Sequence, residues 1–207
     1  MKPIRVLVVD DHPLMRLGVC AMINAQDDMA VVGEAGTAKQ AIEQFELLQP
    51  DVTLMDLKLP GTGGVSVIQT LRQRYPKAKF MVLTTYEGDE DIFQALQAGA
   101  VGYLIKGMSH ESLVKGLRHV YAGKSYVPSE VAQRLNRRNP NATLSDRENQ
   151  VLQLLAKGKS NKTIATQLGV TESTIKAHVG VILDHLNVED RTEAVVVALQ
   201  RGLVHLD

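Results

Sequence analysis

The sequence lacks several features that would define its class at once. Its 207 residues include no tryptophan and one cysteine, and the 23 basic residues balance the 23 acidic ones. The single cysteine, Cys20, excludes an internal disulfide framework and fits a reducing cytosol. No apolar run approaches the ~20 residues that a membrane span needs. The first residues enter a strand pattern rather than a signal peptide. We therefore expect a cytoplasmic protein without a membrane partner, long enough for two small domains.

The first part of the chain alternates between strand and helix periodicity, a pattern typical of βαβ units. The predicted strands are Ile4–Val9, Ala30–Ala35, Val52–Met55, Lys79–Thr84 and Val101–Ile105. The predicted helices are Leu14–Ala25, Ala38–Leu48, Val65–Arg74, Asp89–Ala98 and Glu111–Ala122. Right-handed crossovers of this length predict an α/β doubly wound parallel sheet of five strands, and the flavodoxin-like strand order suits that number.

The βαβ pattern ends at Gly123, so the first domain is predicted to span residues 1–123. The polar stretch around Asn139-Pro140 indicates a linker over residues 124–142. Part of this linker, from Ser129 to Arg138, has the pattern of a short amphipathic helix.

The last part of the chain carries helix signals alone. Ser145, Ser160 and Thr171 each stand at an N-cap position before an apolar run of helical spacing, and a fourth helix is predicted over 191–201. Two short helices joined by a turn containing glycine form a helix-turn-helix. We therefore expect an all-α four-helix domain over residues 143–207.

Acidic residues follow two of the predicted strands. Asp10 and Asp11 follow the first strand, and Asp56 follows the third. In an open parallel sheet the carboxyl ends of neighbouring strands meet at one edge, where ligands bind. Three carboxylates there repel one another unless a cation is present, and oxygen ligands of this kind suit Mg²⁺. The simpler alternative is that Asp11 merely caps the following helix.

Two further strand ends carry residues of matching chemistry. The fourth strand ends at Thr84 and the fifth is followed by Lys106, which places a hydroxyl and an ammonium at the same edge as the acids. A nucleophilic carboxylate, a metal, a hydroxyl donor and a cation are the groups that a phosphoryl group on an aspartate requires.

These residues carry a family resemblance. The set Asp10-Asp11, Asp56, Thr84 and Lys106, with Pro60-Gly61 after the central acid, resembles the receiver domain of two-component response regulators. The segments Leu144-Ser-x-Arg147-Glu148, Lys159-Ser160-Asn161-Lys162 and Thr174-Ile175-Lys176-x-His178 resemble the LuxR-type DNA-binding domain. Together they are similar to NarL/FixJ-type response regulators over nearly the whole chain.

The resemblance implies a phosphorylation switch in the first domain. Asp56 would accept a phosphoryl group from a sensor histidine kinase, and Thr84 and Lys106 would bind that group. Movement of the threonine would be coupled to Tyr103, which turns inward. Mg²⁺ would be held by Asp10, Asp11, Asp56 and the backbone carbonyl of Lys58.

The resemblance also implies a transcription regulator rather than an enzyme, binding double-stranded DNA as a homodimer when phosphorylated. The residues expected at the DNA are Lys162, Thr163, Ser173, Thr174, Lys176 and His178. The residues expected at the dimer surface are Val195, Val196 and Leu199, although packing within the domain is an equal alternative for that helix. From residue 126 onward there are ten lysines and arginines against nine aspartates and glutamates, so weak, salt-sensitive DNA binding by the monomer is expected.

Two other functions compete with this interpretation. A Mg²⁺-dependent phosphatase or phosphotransferase of the haloacid-dehalogenase type also uses aspartate, threonine and lysine at strand ends, but it has Asp-x-Asp where this chain has adjacent Asp10-Asp11. A phosphorylation-dependent interaction protein with weak or lost DNA binding is favoured by Gly180, Val181 and Asp184 on the predicted recognition helix.

Overall fold

A computed structural model describes residues 2–85, 88–107, 109–136 and 144–205. The end of the predicted linker, residues 137–142, therefore lies outside the described residues. The chain divides into two compact units, the first formed by residues 1–86 and 92–133 and the second by residues 87–91 and 134–207.

The first unit is built on a parallel sheet with the strand order β2-β1-β3-β4-β5. The strands are β1 (Ile4–Val9), β2 (Met29–Ala35), β3 (Val52–Met55), β4 (Phe80–Thr84) and β5 (Gly102–Ile105). This order confirms the predicted flavodoxin-like fold. All residues of the three strands β3, β4 and β5 are buried, as expected of strands covered by helices on both faces.

In the described part of the chain, four helices connect the strands and two more follow β5. They are α1 (Pro13–Asn24), α2 (Ala38–Leu48), α3 (Gly63–Arg74), α4 (Asp89–Gln97), α5 (His110–Tyr121) and α6 (Ser129–Asn136). In α5 the apolar residues Leu113, Val114, Leu117 and Val120 recur at helical spacing, and all are buried. Among the described residues, no helix has both the length and the apolar composition to cross a membrane.

The start of the predicted linker pairs with the sheet. The backbone N–H of Tyr126 donates to Val101 at 2.9 Å, and the N–H of Tyr103 donates to Tyr126 at 3.0 Å. These bonds add a short parallel bridge beside β5. No strand pattern predicts this pairing, because Tyr126 stands between a glycine-containing turn and Pro128.

The second unit contains the helices α7 (Asp146–Ala156), α8 (Asn161–Leu168), α9 (Glu172–Leu186) and α10 (Arg191–Arg201). The side chains of Ser145, Ser160 and Thr171 accept backbone N–H bonds at the three predicted N-caps. Ser145 forms a full capping box with Glu148. Gly169 ends α8 in the left-handed conformation, with φ of 66°, and so allows the sharp turn into α9.

Candidate functional site

The carboxyl edge of the sheet brings the predicted acids together. Because β1 and β3 are neighbours, the residues that follow them are adjacent, and the N–H of Asp56 donates to Val9 at 2.9 Å. Asp10 and Asp56 are 3% and 2% exposed. The ligand atoms of Asp10, Asp11, His12 and Asp56 all lie within 4.8 Å of one another. The edge is therefore a concentrated, mostly buried patch of negative charge.

Lys106 provides the positive charge at this edge. Its Nζ lies 2.8 Å from Asp10 Oδ2 and 2.6 Å from Asp56 Oδ2, with its side chain 6% exposed. Burial acts against the ammonium charge, but the hydrogen bonds to both carboxylates outweigh it and raise the pKa of Lys106. We refer to Asp10, Asp11, Asp56 and Lys106 as the acidic site. One ammonium beside three carboxyl groups leaves the site negative.

Backbone groups hold the two buried carboxylates in place. The N–H of His12 donates to Asp10 Oδ1 at 2.9 Å, and the N–H of Lys58 donates to Asp56 Oδ1 at 3.1 Å. Each carboxylate thus offers one oxygen to the backbone and the other to Lys106. This division fixes the orientation of both side chains without a ligand.

Asp11 is the acid with unused hydrogen-bonding capacity. Its Oδ1 is buried and has no hydrogen-bond partner. His12 Nδ1 lies 2.6 Å from this oxygen without forming a hydrogen bond. The helix α1 is preceded by His12 at the N-cap, without a side-chain cap, so Asp11 does not serve as the cap. An orphaned oxygen beside two carboxylates fits a hard cation with oxygen ligands, and Mg²⁺ is such a cation.

Two residues at this edge were missed by the sequence interpretation. His12 lies in the carboxylate cluster, with its side chain 63% exposed. Arg16 donates from Nη1 to the backbone carbonyl of Asp10 at 2.7 Å, and its Nε pairs with Glu34 at 3.1 Å. His12 follows the paired acids directly, and Arg16 follows it by one helical turn. These positions relative to the paired acids were the sequence signal from which both residues could have been predicted.

Thr84 and Tyr103 occupy the neighbouring strands β4 and β5, and both are fully buried. The backbone carbonyl of Thr84 accepts from the N–H of Lys106 at 2.7 Å, which ties the end of β4 to the acidic site. Tyr103 pairs with Val82 in the β4–β5 register.

A second candidate surface lies on α8 and α9. The exposed residues among those predicted to meet DNA are Lys162, Thr163, Ser173 and Lys176, whereas Thr174 and His178 are partly buried. Lys176 Nζ lies 3.5 Å from Glu172 one turn earlier, in an exposed pair that costs little to break.

Two of the predicted DNA contacts also take part in helix capping. The hydroxyl of Thr163 lies 2.9 Å from Ser160 Oγ, and that of Thr174 lies 2.9 Å from Thr171 Oγ1. The backbone N–H groups of Thr163 and Thr174 donate to the same caps. The structure thus gives both threonines, which the resemblance places at the DNA, a local structural role as well.

The predicted dimer helix α10 is divided between the core and the surface. Ala194 and Ala198 are buried in the core of the second unit, and Val195 and Leu199 pack against that core. Val196 is 47% exposed. Of the three predicted dimer residues, Val196 thus offers the most free surface.

The chain combines an α/β unit that carries a buried acidic site with a helix-turn-helix unit, and known proteins have the same two units. The family model "Response regulator receiver domain" matches residues 6–118, and the luxR family of bacterial regulatory proteins matches residues 142–198. The chain therefore belongs to the response regulators, in the group with a LuxR-type DNA-binding domain. It is a transcription regulator, and the haloacid-dehalogenase interpretation is set aside.

Whole-length relatives support this assignment. The response regulator protein VraR of Staphylococcus saprophyticus is 38% identical over 207 residues, which cover 98% of this chain and 99% of that protein. VraR of Staphylococcus aureus is 37% identical over 206 residues, covering 97% and 99%.

Solved structures agree with both units. The response regulator ChrA of a heme-sensing two-component system is 34% identical, with a TM-score of 0.60 over 98% of this chain and 100% of that one. A complex of the response regulator RcsB with DNA is 25% identical, with a TM-score of 0.70 over 96% of this chain and 99% of that one.

Proposed function

We propose that Asp56 is the phosphoacceptor, that a sensor histidine kinase is the donor, and that phosphorylation promotes dimerisation and DNA binding in the cytoplasm. The observation that carries this proposal is the contact of Lys106 with both Asp10 and Asp56 at the carboxyl edge of the sheet, at 2.8 and 2.6 Å. Three acids and a cation around one point support the proposal, because a nucleophilic carboxylate needs such neighbours to accept a phosphoryl group.

The proposed reaction is a direct transfer. A carboxylate oxygen of Asp56 attacks the phosphorus, the new O–P bond forms, and the N–P bond of phosphohistidine breaks with its electron pair returning to the imidazole. Mg²⁺, held by Asp10, Asp11, Asp56 and the Lys58 carbonyl, would neutralise charge on the phosphoryl oxygens. Lys106 is already within hydrogen-bond distance of Asp56, so it can transfer its contact to the phosphoryl group.

Thr84 and Tyr103 would transmit the change. A phosphoryl group adds negative charge and acceptor oxygens, and the Thr84 hydroxyl would donate to one of them. The backbone bond between Thr84 and Lys106 links the two responding residues. Asp56 phosphorylation would thereby reorganise the ends of β4 and β5 together.

The second unit would bind duplex DNA with α9 in the major groove. The contacts proposed are those of Lys162, Thr163, Ser173, Thr174, Lys176 and His178, together with helix N-terminal amides. Val195, Val196 and Leu199 on α10 would pair two copies. With ten basic against nine acidic residues from residue 126 onward, a monomer has little charge for phosphate contacts, so dimerisation would supply much of the affinity.

A second candidate function is a phosphorylation-dependent interaction protein with weak or lost DNA binding. The observation that favours it is the outer face of α9, by which we mean Ser173, Ala177, Gly180, Val181 and Asp184. This face carries no cation.

DNA affinity with and without phosphodonor distinguishes the two functions. Duplexes selected from a random pool would be titrated with the full chain, with and without acetyl phosphate and Mg²⁺, beside an Asp56→Asn variant. The proposed function predicts tighter binding after phosphorylation of the wild type and no change in the variant. Failure to select any duplex would favour the interaction protein, and an equal response of the variant would contradict the role of Asp56.

A further inference from the structure

Gly180 is a glycine that its own domain does not require. It lies inside the 15-residue helix α9, where glycine destabilises the helix relative to alanine. Its φ is not in the left-handed region, and a Cβ added there would meet no heavy atom within 4 Å in the described part of the chain. Neither backbone conformation nor internal packing therefore requires glycine at this position, and the missing side chain leaves room for close approach by another molecule.

The neighbours of Gly180 make this surface apolar. Val181 is 39% exposed, and Ala177, one turn earlier, is exposed as well. Ile175, Ile182 and Leu186 on the opposite side of α9 are buried, so the apolar residues at 177 and 181 are additional to those that the core uses. The outer face of α9 thus presents methyl groups around a gap at Gly180.

The major groove of DNA offers one apolar group for such a surface. The thymine C5-methyl projects into the groove, where side chains such as alanine and threonine contact it through their methyl groups. Guanine, by contrast, is recognised by arginine or lysine, and Lys176 is the one cation near this face in the described part of α9.

We infer that α9 recognises thymine methyl groups through Val181 and Ala177, and that the missing side chain of Gly180 lets the helix lie close to the base edges. The ligand class is therefore duplex DNA with thymine at the positions beneath the middle of α9. This inference rests on the proposed DNA-binding function and specifies what the helix recognises.

Uracil substitution tests the methyl contact directly, because it removes the C5-methyl and leaves every hydrogen-bonding group of the base. In a selected duplex, single thymines would be replaced by uracil and affinities measured by fluorescence anisotropy. Loss of one buried methyl predicts about a fourfold weaker Kd at a contacted position. In Val181→Ser this uracil penalty should disappear at one position, whereas Val181→Thr, which keeps a methyl group, should retain it.

A pair of glycine variants tests the close approach. Gly180→Ala should raise the Tm, since the helix gains and nothing clashes, but it should weaken DNA binding. Gly18→Ala is the matched control, because Gly18 lies inside α1 and its added Cβ also meets nothing within 4 Å. That variant should raise the Tm and leave the DNA affinity unchanged.

The outcomes separate the inference from the function on which it rests. Uracil substitutions without effect at every position, or full affinity in Gly180→Ala, would overturn the inference while DNA binding stands. Failure to select any duplex with the phosphorylated chain would overturn the proposed function, and the inference with it.

Discussion

The acidic site and the outer face of α9 are built in opposite ways. At the acidic site Asp56 is 2% exposed, and backbone amides and Lys106 hold both buried carboxylates. On α9 the outer face consists of exposed residues without a cation of their own, and the cation beside them, Lys176, forms an exposed pair with Glu172. Buried contacts therefore hold the first region in place, whereas the second is an exposed helix surface.

The largest expected effect comes from removing the charge that Lys106 brings to the acidic site. Lys106→Met leaves the two buried carboxylates without their shared cation, so the free energy of unfolding should fall by about 3 kcal/mol. Saturating Mg²⁺ should recover part of this loss, because it supplies positive charge to the same oxygens. Urea denaturation with and without Mg²⁺ measures both effects.

Lys115→Met is the control for that variant, since Lys115 is an exposed lysine of the same unit. Its stability should change by less than about 0.5 kcal/mol. Two results would contradict the charge balance described for the acidic site. One is an equal loss of stability in the two variants, and the other is a loss in Lys106→Met that Mg²⁺ does not reduce.

The next effect concerns the backbone beneath Asp56. Gly64 donates to Leu57 at 2.9 Å, and a Cβ at Gly64 would meet the Asp56 carbonyl and lie 2.9 Å from Leu57 Cα. Gly64→Ala should therefore cost about 1–3 kcal/mol through overpacking. Gly180→Ala, on the outer face of α9, should instead raise the Tm. A lower Tm for Gly180→Ala than for Gly64→Ala in thermal denaturation would contradict this prediction.

A smaller effect is expected at the helix cap of the second unit. Ser145→Ala breaks the capping box of α7 and should cost about 1 kcal/mol. The backbone N–H of Ser145 donates to Glu148 and lowers the pKa of that carboxyl. Because the folded pKa is lowered, this contribution is complete above the ordinary pKa of a glutamate and is lost as the pH falls through the lowered value.

The difference in Tm between wild type and Glu148→Ala, which removes the titrating carboxylate, should accordingly shrink as the solution is acidified. Circular dichroism melts over a series of pH values measure it. A difference that stays constant down to the acid limit of the folded chain would show that the Glu148 carboxylate contributes nothing to the cap.

The smallest effect on stability is expected at Cys20, in the first unit. Cys20 is buried, and burial followed by the nearby Glu34 charge raises the pKa of its thiol to about 11. Stabilisation by the neutral thiol is thus complete below its ordinary pKa and is lost as the pH rises through about 11. At neutral pH the native chain should react with a thiol reagent far more slowly than the urea-unfolded chain, and equal rates would contradict this burial.

Much of this organisation could be predicted from the sequence, because it follows from local patterns. Buried strands give continuous apolar runs, and the acids at Asp10 and Asp56 directly follow two of them. The caps Ser145, Ser160 and Thr171 were predictable for a similar reason, since a serine or threonine directly before an apolar run of helical spacing is commonly the N-cap.

Other features depend on contacts between distant segments, and local patterns do not reveal these. The pairing of Tyr126 with Val101 and Tyr103 lies in a stretch whose turn residues predict a linker. Lys106 was predicted to bind the phosphoryl group, but its contact with Asp10 as well as Asp56 depends on how β1, β3 and β5 are placed. The exposure of Val181 likewise becomes informative only once the core side of α9 is known.

The central claim is that the acidic site accepts a phosphoryl group on Asp56. The most direct measurement is intact mass after incubation with acetyl phosphate and Mg²⁺, for the wild type and Asp56→Asn. We predict a labile adduct of about 80 Da on the wild type. It should be absent from the variant, and it should not form on the wild type when Mg²⁺ is chelated before the donor is added. An adduct of the same mass on both proteins, or none on the wild type, would contradict the account.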